Sequence, residues 1–435
     1  MRVKLLAYSL IVLSLVVVSA SAQSLPIGLE RERGRTMLNA AKSDLKKNYY
    51  DPTFRGTDID AAFKKAEERI AKATHQNEIF GIIAETLIDL NDSHTYFVPP
   101  SRSYTFDYGW KMQMIGEKCY VVWVKPGSDA EAKGLKEGDE IYTIDNIGPI
   151  RENLWKIHYL YQALTPRTTI RLNVIKPDGR QQDLDVKTKI VQGKPVMDLG
   201  SGDLWDLMRR EETEARLNRH RFYEGEDDLF VWKMPSFDLE SHKVDSTVGR
   251  AKKRKALILD LRGNGGGAEE TLLRMISNFF DRDIKLGDIK RRKETKSLVA
   301  KTRGSEIFTG KLIVLIDSES GSAAELFARA VQLEKRGIVI GDVSAGHVMR
   351  SKFYDHAHGL NEQIYYGVSI TDADLIMTDG RSLEHVGVTP DEVKLPTPVA
   401  LAARHDPVLA YAASLAGITM TPEKAGSLFP VEWIK

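Results

Sequence analysis

From Thr36 to Leu90 apolar residues return every three or four positions, in MLNAAKSDLKKNYY, IDAAFKKAEERIAKA and NEIFGIIAETLIDL. This period predicts amphipathic helices, with Asp58 placed to cap the second. The following DSHTYFVPPSRS is turn-like, and Pro99 and Pro100 end any regular element. Between Phe106 and Ile190 the period shortens to that of strands, in MQMIG, CYVVWV, EIYTID and TIRLNVI, broken by KPGSDA and KPDGR turns and one helical stretch, LWKIHYLYQAL. Residues 191–225, with Asp198, Asp203 and many Arg and Glu, read as a helical connector with a solvated face. Beyond it LFVWKM, KALILDL, KLIVLID, RGIVIG and QIYYGV alternate with the helical EETLLRMISNFF and AAELFARAVQLEK, the pattern of an α/β domain with a central sheet. RRKETKSLVAKTRG reads as a solvated basic loop or helix face, and DPVLAYAASLAG as a final packed helix. The pattern thus predicts a multidomain α+β and α/β chain. It comprises an N-terminal helical region over 23–103, a β-rich domain over 104–190, the connector, and an α/β core with its C-terminal helix over 226–435.

The extreme N-terminus stands apart. Arg2 and Lys4 precede LLAYSLIVLSLVVV and then Ala20-Ser21-Ala22, which reads as a cleaved secretory signal over residues 1–22. An uncleaved anchor is the alternative, set against the shortness of the run and the small residues at its end. The reading implies a periplasmic or secreted protein with no stable membrane insertion after cleavage. Cys119 is the single cysteine, so no intramolecular disulfide can staple the fold even in an oxidising compartment. With 62 basic and 61 acidic side chains the net charge is +1, which supplies no global field for nucleic acid or an anionic membrane. The basic run of the 290s lacks interleaved aromatics, so no nucleic-acid partner is expected there.

Two segments carry candidate chemistry. KALILDLRGNGGG is a strand opening into three adjacent glycines, Gly265 to Gly267, whose backbone N–H groups can face a ligand without a Cβ barrier. Neither phosphate-binding spacing is present in it. KLIVLIDSESGSAAELFARA is a strand, a small-residue turn and a helix, with Ser322 at the turn. There a hydroxyl and the helix's first N–H groups would be exposed together, suited to a nucleophile beside an oxyanion, although the same segment alone also reads as an N-cap. His356 and His358, with Asp355 and His385, invite a metal reading, but no compact third ligand is identifiable and no metal or other cofactor is expected.

Within the β-rich region KPGSDAEAKGLKEGDEIYTIDN resembles the middle of a PDZ domain. This implies a strand-and-helix groove that captures an extended peptide by β-augmentation, against the alternative of a spacer domain. In order along the chain, the Asp-Ser-His element, this PDZ-like insertion, DLRGNGGG, SGSAAE, GDVSAG and EHVGVTPD together resemble the C-terminal processing and tail-specific serine peptidases, including their tricorn-core branch. The resemblance implies a crotonase-like α/β core, Ser322 as nucleophile, oxyanion-hole amides near Gly266 and Ala323, and Glu325 in support on the nucleophile's helix. The lysine base of the Ser–Lys branch falls on His347, and its orienting glutamine on Ser351, so that dyad is not expected. By resemblance to the tricorn-like branch the base is His94, oriented by Glu384, and His347 is the substitute base. The implied function is an exported serine endopeptidase acting on unfolded proteins or near polypeptide C-termini. A catalytically inactive peptide-binding or scaffolding protein is the alternative, and a homo-oligomer is compatible with either.

Overall fold

The computed structural model of the chain describes residues 26–102, 104–192, 216–225, 228–359 and 364–433. The expected signal segment and most of the expected connector, Asp198 and Asp203 included, lie outside the described residues.

Helices α1 (Ile27–Asn48), α2 (Ile59–Ile70) and α3 (Gln76–Ile88) form the N-terminal region, and Asp58 caps α2 by accepting the Ala61 N–H at 3.0 Å. The first helix starts well before Thr36 because its extra turns are charged and meet α3 through Gly34. A Cβ there would lie 2.3 Å from the Ile79 side chain, so close packing comes from an absent side chain that no hydrophobic pattern records. Met37, Leu38, Ala41 and Leu45 of α1 share one apolar cluster with Phe63, Ile83, Phe97, Tyr366, Val368 and Ile370. The helices therefore bury their apolar stripe against a sheet built from the far end of the chain.

That sheet is five-stranded, in the order β1 (Tyr96–Val98), β17 (Ile364–Met377), β12 (Ile284–Arg291), β13 (Thr295–Ala300), with β16 (Arg350–His358) on the other side of β17. Two expectations are corrected here. Part of DSHTYFVPPSRS is the short strand β1, paired with β17 before Pro99 ends it. The basic run belongs to the β12–β13 hairpin rather than a loop or helix face; Leu298 and Ala300 point inward while Thr295, Lys296 and Ser297 remain exposed, so the charges hide a half-buried strand.

The β-rich region is a five-stranded antiparallel sheet, β3 (Trp110–Ile115), β4 (Lys118–Val124), β5 (Glu140–Ile144), β6 (Thr169–Ile175) and β7 (Gln181–Lys187). Helices α4 (Asp129–Ala132) and α5 (Arg151–Tyr159) pack with it around Val121, Leu172 and Val174. Flanking strands β2 (Tyr104–Asp107) and β8 (Lys189–Gln192) pair with each other and zip the two ends of the insertion together.

The α/β core holds a six-stranded sheet ordered β18 (Glu392–Val393), β15 (Ile338–Gly341), β14 (Lys311–Ile316), β11 (Ala256–Asp260), β10 (Leu229–Lys233), β9 (Arg221–Glu224), parallel except at β9. Strand β9 falls in the expected helical connector, so the C-terminal end of that stretch is an edge strand of the core. Leu257, Leu259 and Val314 face α6 (Ser241–Ala251), α7 (Glu269–Ser277) and α8 (Ala323–Leu333). Ile258, Ile313 and Leu315 face the opposite way, against α10 (Pro407–Leu415) and α11 (Pro422–Ser427), which follow the short α9 (Pro398–Ala402). Burial on both faces explains the unbroken apolar runs of these strands. Among the described residues no helix is long and apolar enough to cross a membrane.

Candidate active site

Strand β14 ends at Ile316, and the next five residues are fixed from several directions. Asp317 accepts N–H groups from Gly263 at 2.9 Å and Glu319 at 3.0 Å, and the Ser320 hydroxyl donates to the Leu261 carbonyl at 2.8 Å. The turn delivers Ser322 to the start of α8 with φ 50° and ψ −119°, a left-handed φ that costs a side-chain-bearing residue free energy. Its backbone N–H donates to the His347 carbonyl at 2.8 Å and to Glu325 Oε2 at 3.0 Å, which holds the strained conformation in place. Ala323 is the first residue of α8, so its N–H has no acceptor within the helix and sits at the positive end of the helix dipole.

The glycine loop closes on the same spot. Gly266 has φ 106°, and a Cβ on it would stand 2.6 Å from the Ser322 Cβ and 3.1 Å from the Ala323 nitrogen. Gly266 thus keeps the space beside Ser322 and the start of α8 open. Its own N–H, however, donates to Asn264 Oδ1 at 2.8 Å, so in this conformation it does not face outward as an oxyanion donor. Asn264 is fully buried and also ties the loop to Met234 and Gly321.

Glu325, one turn into α8, is fully buried. It accepts the Ser344 hydroxyl at 2.6 Å and the N–H groups of Gly346 at 2.7 Å, His347 at 2.9 Å and Ser322 at 3.0 Å. Burial pushes its carboxyl up to about 7 against the opposing pull of those donors. It is the clamp between the Ser322 turn and the loop before β16.

His94 reaches the site on a turn between α3 and β1. Asp92, 2% exposed, organises that turn: its Oδ1 accepts the N–H of His94 at 3.0 Å and of Thr95 at 2.7 Å and the Thr371 hydroxyl at 2.6 Å. Its Oδ2 accepts the Tyr49 hydroxyl at 2.7 Å. Ser93 joins Glu384 to the His94 ring. The Ser93 hydroxyl donates to Glu384 Oε2 at 2.9 Å and lies 2.6 Å from His94 Nδ1, while the Ser93 N–H donates to Glu384 Oε1 at 2.7 Å. A hydroxyl has one proton, so when it donates that proton to Glu384 it accepts from Nδ1–H, which in the neutral imidazole leaves Nε2 unprotonated. Sequence reasoning missed Ser93, although it is the middle residue of the Asp-Ser-His element.

Glu384 also accepts the Val348 N–H at 3.1 Å. A continuous path therefore runs from Ser322 N–H to the His347 carbonyl, along the chain to Val348 N–H, through Glu384 and Ser93 to His94. The fold thus gathers Ser322, Gly266, Ala323, Glu325, His347, Glu384 and His94. Burial, with the neighbouring His94 and His385 adding to it, pushes the His347 imidazole down to about 3.

The remaining candidates lie elsewhere. Ser351 pairs with the Ser369 hydroxyl at 3.0 Å on the β16–β17 hairpin. His356 Nε2 contacts Asp44 Oδ2 at 2.7 Å and its ring stacks on Tyr366, which binds α1 to the hairpin. Among the described residues no three acids, histidines or cysteines come together as a metal site. A cavity of about 310 Å³ lies where the insertion meets the core, lined by Gln113, Lys233, Asp260, Arg262 and Asp317 but not by Ser322, His94 or Glu384.

Comparison with known proteins bears on this arrangement. The model described as Peptidase family S41 matches residues 231–393, and that described as Tricorn protease C1 domain matches residues 31–87. The chain is 24% identical over 319 residues to the tail-specific protease of Haemophilus influenzae, covering 69% of this chain and 43% of that protein. It is 23% identical over 372 residues to the carboxy-terminal processing protease CtpA of Bacillus subtilis, covering 83% and 69% respectively. It therefore spans less than half the length of the first of these relatives. In fold it is similar to mature CPAF complexed with lactacystin, with a TM-score of 0.63 at 15% identity over 86% of this chain and 96% of that one. The photosystem II D1 C-terminal processing protease gives a TM-score of 0.51 at 18% identity, covering 91% and 99%.

Proposed function

The chain belongs to peptidase family S41, the C-terminal processing and tail-specific serine peptidases, and from that premise we propose that it is an exported serine endopeptidase cleaving unfolded proteins or polypeptides near their C-termini. The observation that carries the reading is the relay from Glu384 through the Ser93 hydroxyl to His94 Nδ1, because it leaves Nε2 as the nitrogen that can take a proton. Ser322 Oγ attacks the scissile carbonyl and passes its proton to His94 Nε2. The imidazolium is stabilised through Ser93 by Glu384, and His94 then protonates the leaving amine. Water repeats the sequence on the acyl-enzyme. The Ala323 N–H receives the oxyanion, and Gly266 supplies a second donor when its N–H turns away from Asn264.

His347 is the weaker candidate for the base. An imidazole held down at about 3, chiefly by burial, has little affinity for the serine proton near neutral pH. In this reading the insertion is a PDZ-like peptide-capturing domain, the core is of the crotonase-like kind, and neither cofactor nor nucleic acid takes part. The occupied Gly266 amide favours a second reading, an inactive peptide-binding protein of the same fold. Incubation of the full chain with an unfolded polypeptide, followed by mass spectrometry of the fragments, decides between them. The first reading predicts internal cleavage that disappears in Ser322→Ala, whereas binding without cleavage, or equal cleavage by the variant, would overturn it.

A further inference from the structure

His385 follows Glu384 and has no part in the chemistry above, yet it touches the loops that carry His94 and His347. Its backbone is left-handed, with φ 60°, and its side chain is 40% exposed. Nε2 lies 2.8 Å from the Asn91 carbonyl oxygen and 3.5 Å from Glu384 Oε1. Its backbone N–H donates to the Gly346 carbonyl at 2.8 Å. Asn91 directly precedes the Asp92 to His94 turn and is itself left-handed, with φ 52°. Gly346 directly precedes His347, and a Cβ on it would lie 3.1 Å from the His385 carbonyl carbon. One residue thus joins the loops of His94, His347 and Glu384.

The residue type is informative. A left-handed, partly exposed position would be met at lower cost by glycine or asparagine, so conformation alone does not account for an imidazole there. What the imidazole adds is a donor at the reach of Nε2. Because Nε2 faces a carbonyl oxygen, it carries the proton, and Glu384 Oε1 stands beside the same N–H. Arg55 donates to the same Asn91 carbonyl from the N-terminal region, so this oxygen is held from two sides. Resting on the Ser322, His94 and Glu384 reading, we infer that His385 is a positioning residue: its Nε2–H pins the Asn91 carbonyl against Glu384 and so fixes the turn that presents His94 to Ser322.

The test compares His385→Ala with His385→Gln in the full chain, since the glutamine amide nitrogen reaches about as far as imidazole Nε2 and keeps the donor. On an unfolded polypeptide substrate, His385→Ala should lower kcat about tenfold with KM within about twofold, and His385→Gln should restore kcat to within about twofold. Imidazole ¹⁵N NMR, recorded with and without Ser322→Ala, should show His94 as one Nδ1–H tautomer in the parent and in His385→Gln, and as a tautomer mixture in His385→Ala. Wild-type kcat in His385→Ala, equal impairment of both variants, or an unchanged His94 signal in His385→Ala would overturn the inference. If the parent cleaves nothing, the peptidase reading fails, and the His94 signal alone still decides whether His385 positions the turn.

Discussion

The turns that carry Ser322 and His94 are built by opposite means. Ser322 sits between a strand and a helix adjacent to it in sequence, and its strained φ of 50° is held by Glu325, three residues on, and by the His347 carbonyl. His94 sits on a turn between elements, and its environment is assembled from far along the chain: Tyr49 is 43 residues from Asp92, Thr371 is 279 from it, and Glu384 is 291 from Ser93. Local structure imposes the strain on Ser322, while the orientation of His94 depends on the N-terminal helices and the C-terminal loops docking on one sheet. The helices of the N-terminal region share their apolar core with that sheet, so on the proposed reading they belong to the catalytic unit.

Substitutions should separate the two constructions. Ser93→Ala cuts the relay without touching the fold's apolar core, and kcat should fall about a hundredfold or more with little change in Tm, measured by steady-state hydrolysis and thermal melting. A loss confined to KM would place Ser93 in substrate binding instead. Glu325→Gln puts an NH₂ group where three N–H donors and a hydroxyl converge, so about 2 kcal/mol of stability should be lost in urea unfolding, together with activity. Tyr49→Phe removes one donor from buried Asp92 at a distance from the chemistry. It should cost about 1 kcal/mol of stability and several-fold in kcat, which Ser322-side substitutions would not mimic at so small a change in stability.

A further effect concerns pH. The folded chain holds the His347 imidazole down at about 3 against an ordinary 6.5, so between those values the unfolded chain binds a proton that the folded chain refuses. Stability from this group is complete above about 6.5 and is lost as pH falls toward 3. His347→Asn should therefore flatten the acid side of the stability curve, read from urea midpoints across pH. Glu325 acts in the opposite sense, since its raised carboxyl contributes most below 4.5 and loses that contribution as pH rises through about 7. Glu325→Gln should remove that decline.

The same contrast explains what was legible in the sequence. The three helices, the β-rich insertion and an α/β core with a central sheet follow from hydrophobic period. The strand–turn–helix around Ser322 is contiguous and readable as such, but the segment alone also reads as an N-cap, and the nucleophile role comes from the resemblance. Gly34, by contrast, packs through a missing side chain, and the β12–β13 hairpin carries charges on its solvent face, so one helix start and two strands escaped the pattern. Ser93 was visible as a residue but not as a relay, because its partner Glu384 is distant in the chain and only the fold sets the hydroxyl between acid and imidazole. Nor does the glycine run reveal that Asn264 takes the Gly266 N–H, since that depends on the turn's φ and ψ.

The central claim is that His94, oriented by Ser93 and Glu384, activates Ser322. The rate of covalent labelling at Ser322 by a peptidyl phosphonate, measured by mass spectrometry near neutral pH, tests it most directly. The account predicts labelling of the parent, its loss by on the order of a thousandfold in His94→Ala, and only a modest slowing in His347→Ala. Labelling that survives in His94→Ala and disappears in His347→Ala would contradict it.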